Sequence, residues 1–147
     1  MPIPRHYSYG PRKLNACIIL TQLHCNASCL NYDLCKVKIS SNASCNCGAP
    51  CENSHHFFFL IVIYIYTDNR EILFNSLNWL SSNINIDVNL LTKGSDLLAY
   101  QENTTIFKHA FKYIKDSKRF QFLNDLKNQH TSPKVFILLS FFLFSYI

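Results

Sequence analysis

Within one short stretch the chain gathers Cys45, Cys47, Cys51, His55 and His56, then runs at once into Phe57, Phe58 and Phe59. This limits the fold more than any other feature, because clustered soft ligands need tight turns and the apolar run behind them needs burial. A closed structural zinc site takes four Cys or His ligands in a tetrahedron. The Cys45/Cys47 pair, the turn at Gly48 and the later His56 provide three of them. Beyond His56 come Leu60, Ile61, Val62 and Ile63, none of which binds a metal. Residues 40–55 are rich in Ser, Asn, Cys, Gly and Pro, so the ligands belong to an irregular, knuckle-like loop.

A chain of 147 residues buries one modest core, and one domain is the expectation. Aromatics at 14% argue against disorder, which requires low hydrophobicity and high net charge. The net charge of +5 sits at both ends, the middle third being acidic. Such an excess fits a nucleic-acid or anionic-membrane partner, and equally an ordinary solvated surface. Seven cysteines are an odd number that neither a disulfide framework nor a single zinc site uses up. With Pro2, Arg5 and His6 in place of a charged patch leading into an apolar core, no signal peptide is expected, and the reading is intracellular, nucleus or cytoplasm, and reducing.

Pro2, Pro4, Gly10 and Pro11 mark residues 1–11 as an irregular lead-in. From 12 to about 25 the apolar positions Leu14, Cys17, Ile18 and Leu23 recur at helical steps. Residues 57–66 form a continuous apolar run, rich in β-branched and aromatic side chains, which predicts a short buried strand. Asp68 with Glu71 three residues on predicts a helix start, with Ile72, Leu73, Leu77 and Leu80 as its stripe to about residue 82. A helical turn is expected around 88–92, broken by Gly94. The clearest helix runs from about 101 to 120, with Ile106, Phe107, Ala110, Phe111 and Ile114 on one face and Lys108, Lys112, Lys115 and Arg119 on another. With Lys118, these basic residues are the candidate nucleic-acid contacts, and a solvated helix surface is the plain alternative. Residues 135–147 make an apolar tail too short for a confident membrane span. The fold class that follows is mainly α: a small helical domain with a Cys/His loop and one short apolar strand.

Catalysis finds little support. The chain has no Asp-Asp pair and only Gly10, Gly48 and Gly94, so neither a polymerase palm nor a phosphate-cradling glycine loop is present, and nothing orients His55 on Cys51 as a nucleophile pair.

Several separate stretches carry a resemblance: His6-Tyr7-Ser8-Tyr9-Gly10 with Leu14 to Leu23, Leu30-Asn31-Tyr32-Asp33-Leu34, the set Cys45, Cys47, Gly48, Glu52 and His56, Tyr66-Thr67-Asp68-Asn69-Arg70, and residues 107–120. Together they resemble the C-terminal region of non-LTR (LINE-type) retrotransposon reverse transcriptase polyproteins, over roughly residues 4–120. In that family a Cys-x-Cys-Gly pair is followed by a His, a Cys-Pro, a Tyr and a basic amphipathic helix. Here Ile61 and Val62 stand where the family has its Cys-Pro. The resemblance therefore implies a truncated, degenerate and non-catalytic remnant, the polymerase and endonuclease parts being absent. Its domain layout is a lead-in at 1–11, a family-like region at 12–120 with the knuckle-like loop at 45–61, and an unrelated tail at 121–147.

On this reading zinc is held by Cys45, Cys47 and His56, with Cys51 recruited in place of the ligand lost at Ile61, and nucleic acid is the partner. The alternative for the loop is a decayed segment with free thiols. A different class of reading makes the chain a small membrane-associated protein using segments 57–66 and 135–147. A cysteine-rich secreted protein is the third, weakened by the expected lack of a signal peptide.

Overall fold

The computed structural model describes residues 11–61 and 63–120, so the expectations for residues 1–10 and for the apolar tail at 121–147 lie outside the described residues. Among those described, the chain is mainly helical: α1 (Pro11–His24), α2 (Asn31–Lys36), a π-helical turn (His56–Leu60), α3 (Tyr64–Ser76), α4 (Val88–Lys93) and α5 (Tyr100–Asp116). α4 packs against both α1 and α5, and α3 packs against α5.

α1 occupies almost the predicted span but buries only part of the expected stripe. Ile19, Leu20 and Leu23 enter the core, whereas Ile18 is 40% exposed. With apolar residues at 17–20 in succession, helical spacing permits more than one buried face, and packing against α4 selects one. The helix closes when the amide of Ala27 bonds the carbonyl of Gln22 and that of Asn26 bonds Leu23, with Asn26 at φ 52. This is the paired-bond ending that needs a left-handed residue, a role Asn tolerates. α2, which periodicity does not announce, ends the same way through Lys38 at φ 60, with Ile39 bonding Leu34 and Lys38 bonding Cys35.

The expected strand at 57–66 is not found, and no strand occurs among the described residues. A lone buried strand would leave its amides and carbonyls unpaired, so the run coils instead, closing bonds locally. His56–Leu60 makes the π turn, Ile61 breaks it in an extended conformation, and α3 begins at Tyr64. Side chains take up carbonyls that the turn leaves over: the Tyr113 hydroxyl donates to Phe57 at 2.6 Å, and Arg70 donates to Phe58 and to Ile61 at 2.8 Å each. Burial pushes the Tyr113 hydroxyl pKa up to about 12, which keeps it a donor. α3 also corrects the predicted start at Asp68. The helix already runs through that position, so Asp68 and Glu71 are exposed interior residues and not a cap.

The core centres on Phe57, whose ring meets Phe58, Tyr66, Tyr113 and Phe120 at centroid distances of 5.1 to 6.0 Å. Leu23, Leu30, Ile61, Leu77, Leu91, Ile106, Ala110 and Ile114 complete it. α4 matches its predicted turn. Asp87 caps it by accepting from the Leu90 amide at 2.8 Å, and Gly94 ends it at φ 81 and ψ −167. Asn103 on α5 then clamps the loop after Gly94, its Oδ1 accepting from the Ser95 amide at 2.8 Å and its Nδ2 donating to the carbonyls of Ser95 and Leu98.

Candidate metal centre

The loop at 40–56 is built from short-range hydrogen bonds. Gly48 donates to the carbonyl of Cys45 at 3.0 Å and Cys45 donates to that of Ala49 at 2.9 Å, which folds Cys45 and Cys47 onto one turn. Gly48 lies at φ 94 with open space where a Cβ would stand, so glycine is needed there for its backbone freedom and not for room. The returning chain pairs through the Glu52 amide to Ala43 at 2.8 Å. Asn53 then starts the next helical turn, its Oδ1 accepting from the His56 amide at 2.8 Å, while the Ser54 hydroxyl donates to the carbonyl of Leu23 at the end of α1. These contacts bring His56 back over the cysteine turn.

Cys45, Cys47 and His56 consequently form a group that could hold a metal ion, their ligand atoms all lying within 4.8 Å of one another. Cys47 Sγ sits 3.2 Å from His56 Nε2. Metal bonds of about 2.3 Å to sulfur and about 2.0 Å to nitrogen would place tetrahedral neighbours about 3.6–3.8 Å apart. Side-chain adjustments of about 1 Å therefore close the triad on an ion.

Burial lowers the pKa of His56 by penalising the imidazolium, an effect Arg70 and His55 reinforce and Glu52 opposes. A neutral imidazole is the form a metal binds. Burial likewise raises the Cys45 thiol, so an ion must displace its proton, and affinity will rise with pH.

The other predicted ligands are placed elsewhere. Cys51 is partly buried and outside the triad. Ile61, at the position where a fourth ligand was expected, is a core residue 1% exposed. His55 is exposed and lies against the Phe59 ring at 5.2 Å.

The predicted basic face is only partly assembled. Lys108, Lys112 and Lys115 are exposed along α5, with Lys112 paired to Asp116 one turn on. The helix ends at Asp116 and not near residue 120, because Lys118 turns left-handed at φ 56. Lys118 stays exposed, but Arg119 leaves the helix face altogether. Its Nε and Nη2 grip the two Glu52 oxygens at 2.8 and 2.7 Å, and Nη2 also reaches the carbonyl of Cys29 at 3.2 Å. Glu52 in turn caps α2, accepting from the Asn31 amide at 2.9 Å. Arg119 is thus a structural cation and not a surface contact. No spacing in the sequence connects Glu52 to Arg119, which are 67 positions apart.

Among the described residues no helix is long and apolar enough to cross a membrane. Comparison with known protein families, with curated proteins and with solved structures finds no match.

Proposed function

We propose that this chain is a non-catalytic nucleic-acid-binding module, a remnant of the C-terminal region of a non-LTR retrotransposon reverse transcriptase polyprotein. Zinc on Cys45, Cys47 and His56 stiffens the knuckle loop against the helical core, and the exposed lysines Lys108, Lys115 and Lys118, on and just after α5, contact phosphates. The observation that carries the reading is the convergence of Cys45, Cys47 and His56 within 4.8 Å, from two segments that the loop folds back on each other. The zinc would supply a fixed loop conformation and no chemistry. Lys108, Lys115 and Lys118 provide the electrostatic footprint, and Arg119 serves it only by anchoring the end of α5.

The test uses the full reduced chain. Zinc content is expected at about one ion per chain and near zero after Cys45→Ser with Cys47→Ser. Binding to a single-stranded oligonucleotide should weaken with salt at a logarithmic slope of about −2, as about three phosphate contacts require. Replacing Lys108 and Lys115 together should flatten that slope, by about 0.7 for each lysine–phosphate pair removed. Equal zinc in wild type and double variant, or a slope the lysine substitutions leave untouched, would overturn the reading.

A further inference from the structure

We propose that the metal centre is also a redox switch: a hydroperoxide converts Cys45 and Cys47 to an internal disulfide, which removes both sulfur donors at once and shuts the site to metal. The regulation rests on the metal-binding reading above. All seven cysteines are free thiols in the structure. Cys45 and Cys47 share one turn, in which the Gly48 amide donates to the Cys45 carbonyl at 3.0 Å, and their sulfurs lie within 4.8 Å of each other. A disulfide needs the sulfurs about 2.05 Å apart, and a step between χ1 rotamers moves a cysteine sulfur by about 3 Å, so rotation of one side chain covers the gap. Gly48, at φ 94 with open space around it, gives the turn room to adjust as the bond closes. His56 Nε2 stands 3.2 Å from Cys47 Sγ and keeps that sulfur in the group.

Exposure sets the order of events. Cys45 is 6% exposed, whereas Cys47 is only partly buried, so a peroxide meets Cys47 first. The Cys47 sulfur attacks one peroxide oxygen and the O–O bond breaks. The departing oxygen takes the Cys47 thiol proton and leaves as an alcohol, or as water from hydrogen peroxide, and Cys47 becomes a sulfenic acid. The Cys45 sulfur then attacks the Cys47 sulfur. The S–S bond forms, the S–O bond breaks, and the hydroxyl leaves as water with the Cys45 proton. Two electrons have passed from the thiols to the peroxide. A resolving thiol this close diverts the sulfenic acid from irreversible oxidation into a bond that a thiol reductant reopens. In the oxidised group only His56 remains as a donor.

The full-length chain, reduced and freed of metal, is treated with hydrogen peroxide, alkylated, digested and read by mass spectrometry. Its zinc uptake is measured before oxidation, after it, and again after dithiothreitol. The expected result is a fragment in which Cys45 and Cys47 are closed to alkylation and lighter by two hydrogens, formed equally in Cys51→Ser. Zinc uptake should be lost on oxidation and regained on reduction. In Cys45→Ser, dimedone should label Cys47 as the stranded sulfenic acid. If the reduced chain takes up zinc, a disulfide that joins Cys51, thiols still open to alkylation, or uptake unchanged by oxidation would overturn the switch and leave metal binding intact. A reduced chain that takes up no zinc would overturn the metal reading itself, and the switch with it.

Discussion

Replacing Arg119 with alanine takes from Glu52 the cation that holds both of its oxygens, in a place where water cannot fully replace it. The side chains are 4% exposed for Glu52 and 21% for Arg119. Exposed ion pairs are worth at most about 1 kcal/mol, whereas breaking a buried one costs about 3–5 kcal/mol because it leaves a charge uncompensated. After the substitution Glu52 keeps its hydrogen bond from the Asn31 amide at 2.9 Å. The space left by the shortened side chain admits some water to the carboxylate, so the expected loss is near the low end, about 3 kcal/mol. A small domain has only about 5–15 kcal/mol in all. Urea denaturation followed by far-UV circular dichroism would read this as a large fall in midpoint. Combining Glu52→Gln with Arg119→Met should recover part of the loss, because the pair contributes little beyond a neutral replacement once neither charge is stranded. Lys112→Ala, which breaks the exposed pair with Asp116, serves as the contrast and should cost no more than about 0.5 kcal/mol. A loss below about 1 kcal/mol in Arg119→Ala, or strict additivity in the double variant, would refute the reasoning.

Gly94→Ala forces a side chain into a backbone region that is nearly glycine-only, and its Cβ would lie 2.4 Å from Asn103 Oδ1. Strain plus disturbed Asn103 hydrogen bonds should cost about 2–4 kcal/mol, a melting-temperature drop on the order of 10 °C, and an unchanged melting temperature would dispose of the argument. Burial holds both His56 and His109 below the ordinary imidazole pKa, His109 with help from Lys108 and Lys112. The folded chain therefore binds fewer protons than the unfolded one, so this stability is present above the unfolded pKa of about 6.5 and is lost as pH falls through the lower folded values. The urea midpoint of the metal-free protein should drop between about pH 7 and pH 5.5, and His109→Gln should flatten that drop; an equal slope in both proteins would count against the assignment.

Local chemistry determines what is legible in the sequence. The end of α4 follows from Gly94, and α5 from its strong amphipathic pattern. The cysteine turn and His56 are legible because ligand type and a glycine turn are local signals. The run at 57–66 is not, since an unbroken apolar stretch has no period to separate strand from buried helix, and the deciding factor is the lack of a strand partner. Asp68 and Glu71 have the spacing of a helix cap, but the helix has already begun at Tyr64. Arg119 falls on an extrapolated basic face because a left-handed lysine at 118 carries no sequence mark. Cys51 misses the triad because the fourth ligand depends on the tertiary path of the loop, which no spacing rule describes.

His56 is followed directly by Phe57, whose ring is fully buried and whose carbonyl is held by Tyr113. Ligand and core anchor are thus successive links of one chain, and an ion that tightens on the first must stiffen the second. Linkage makes the two inseparable. An ion present at about a hundred times its dissociation constant returns about 2.7 kcal/mol to the fold, provided the unfolded chain does not bind it. By the same linkage, a core substitution such as Tyr113→Phe, which cannot touch the ion, weakens apparent metal binding only once it leaves the metal-free chain partly unfolded.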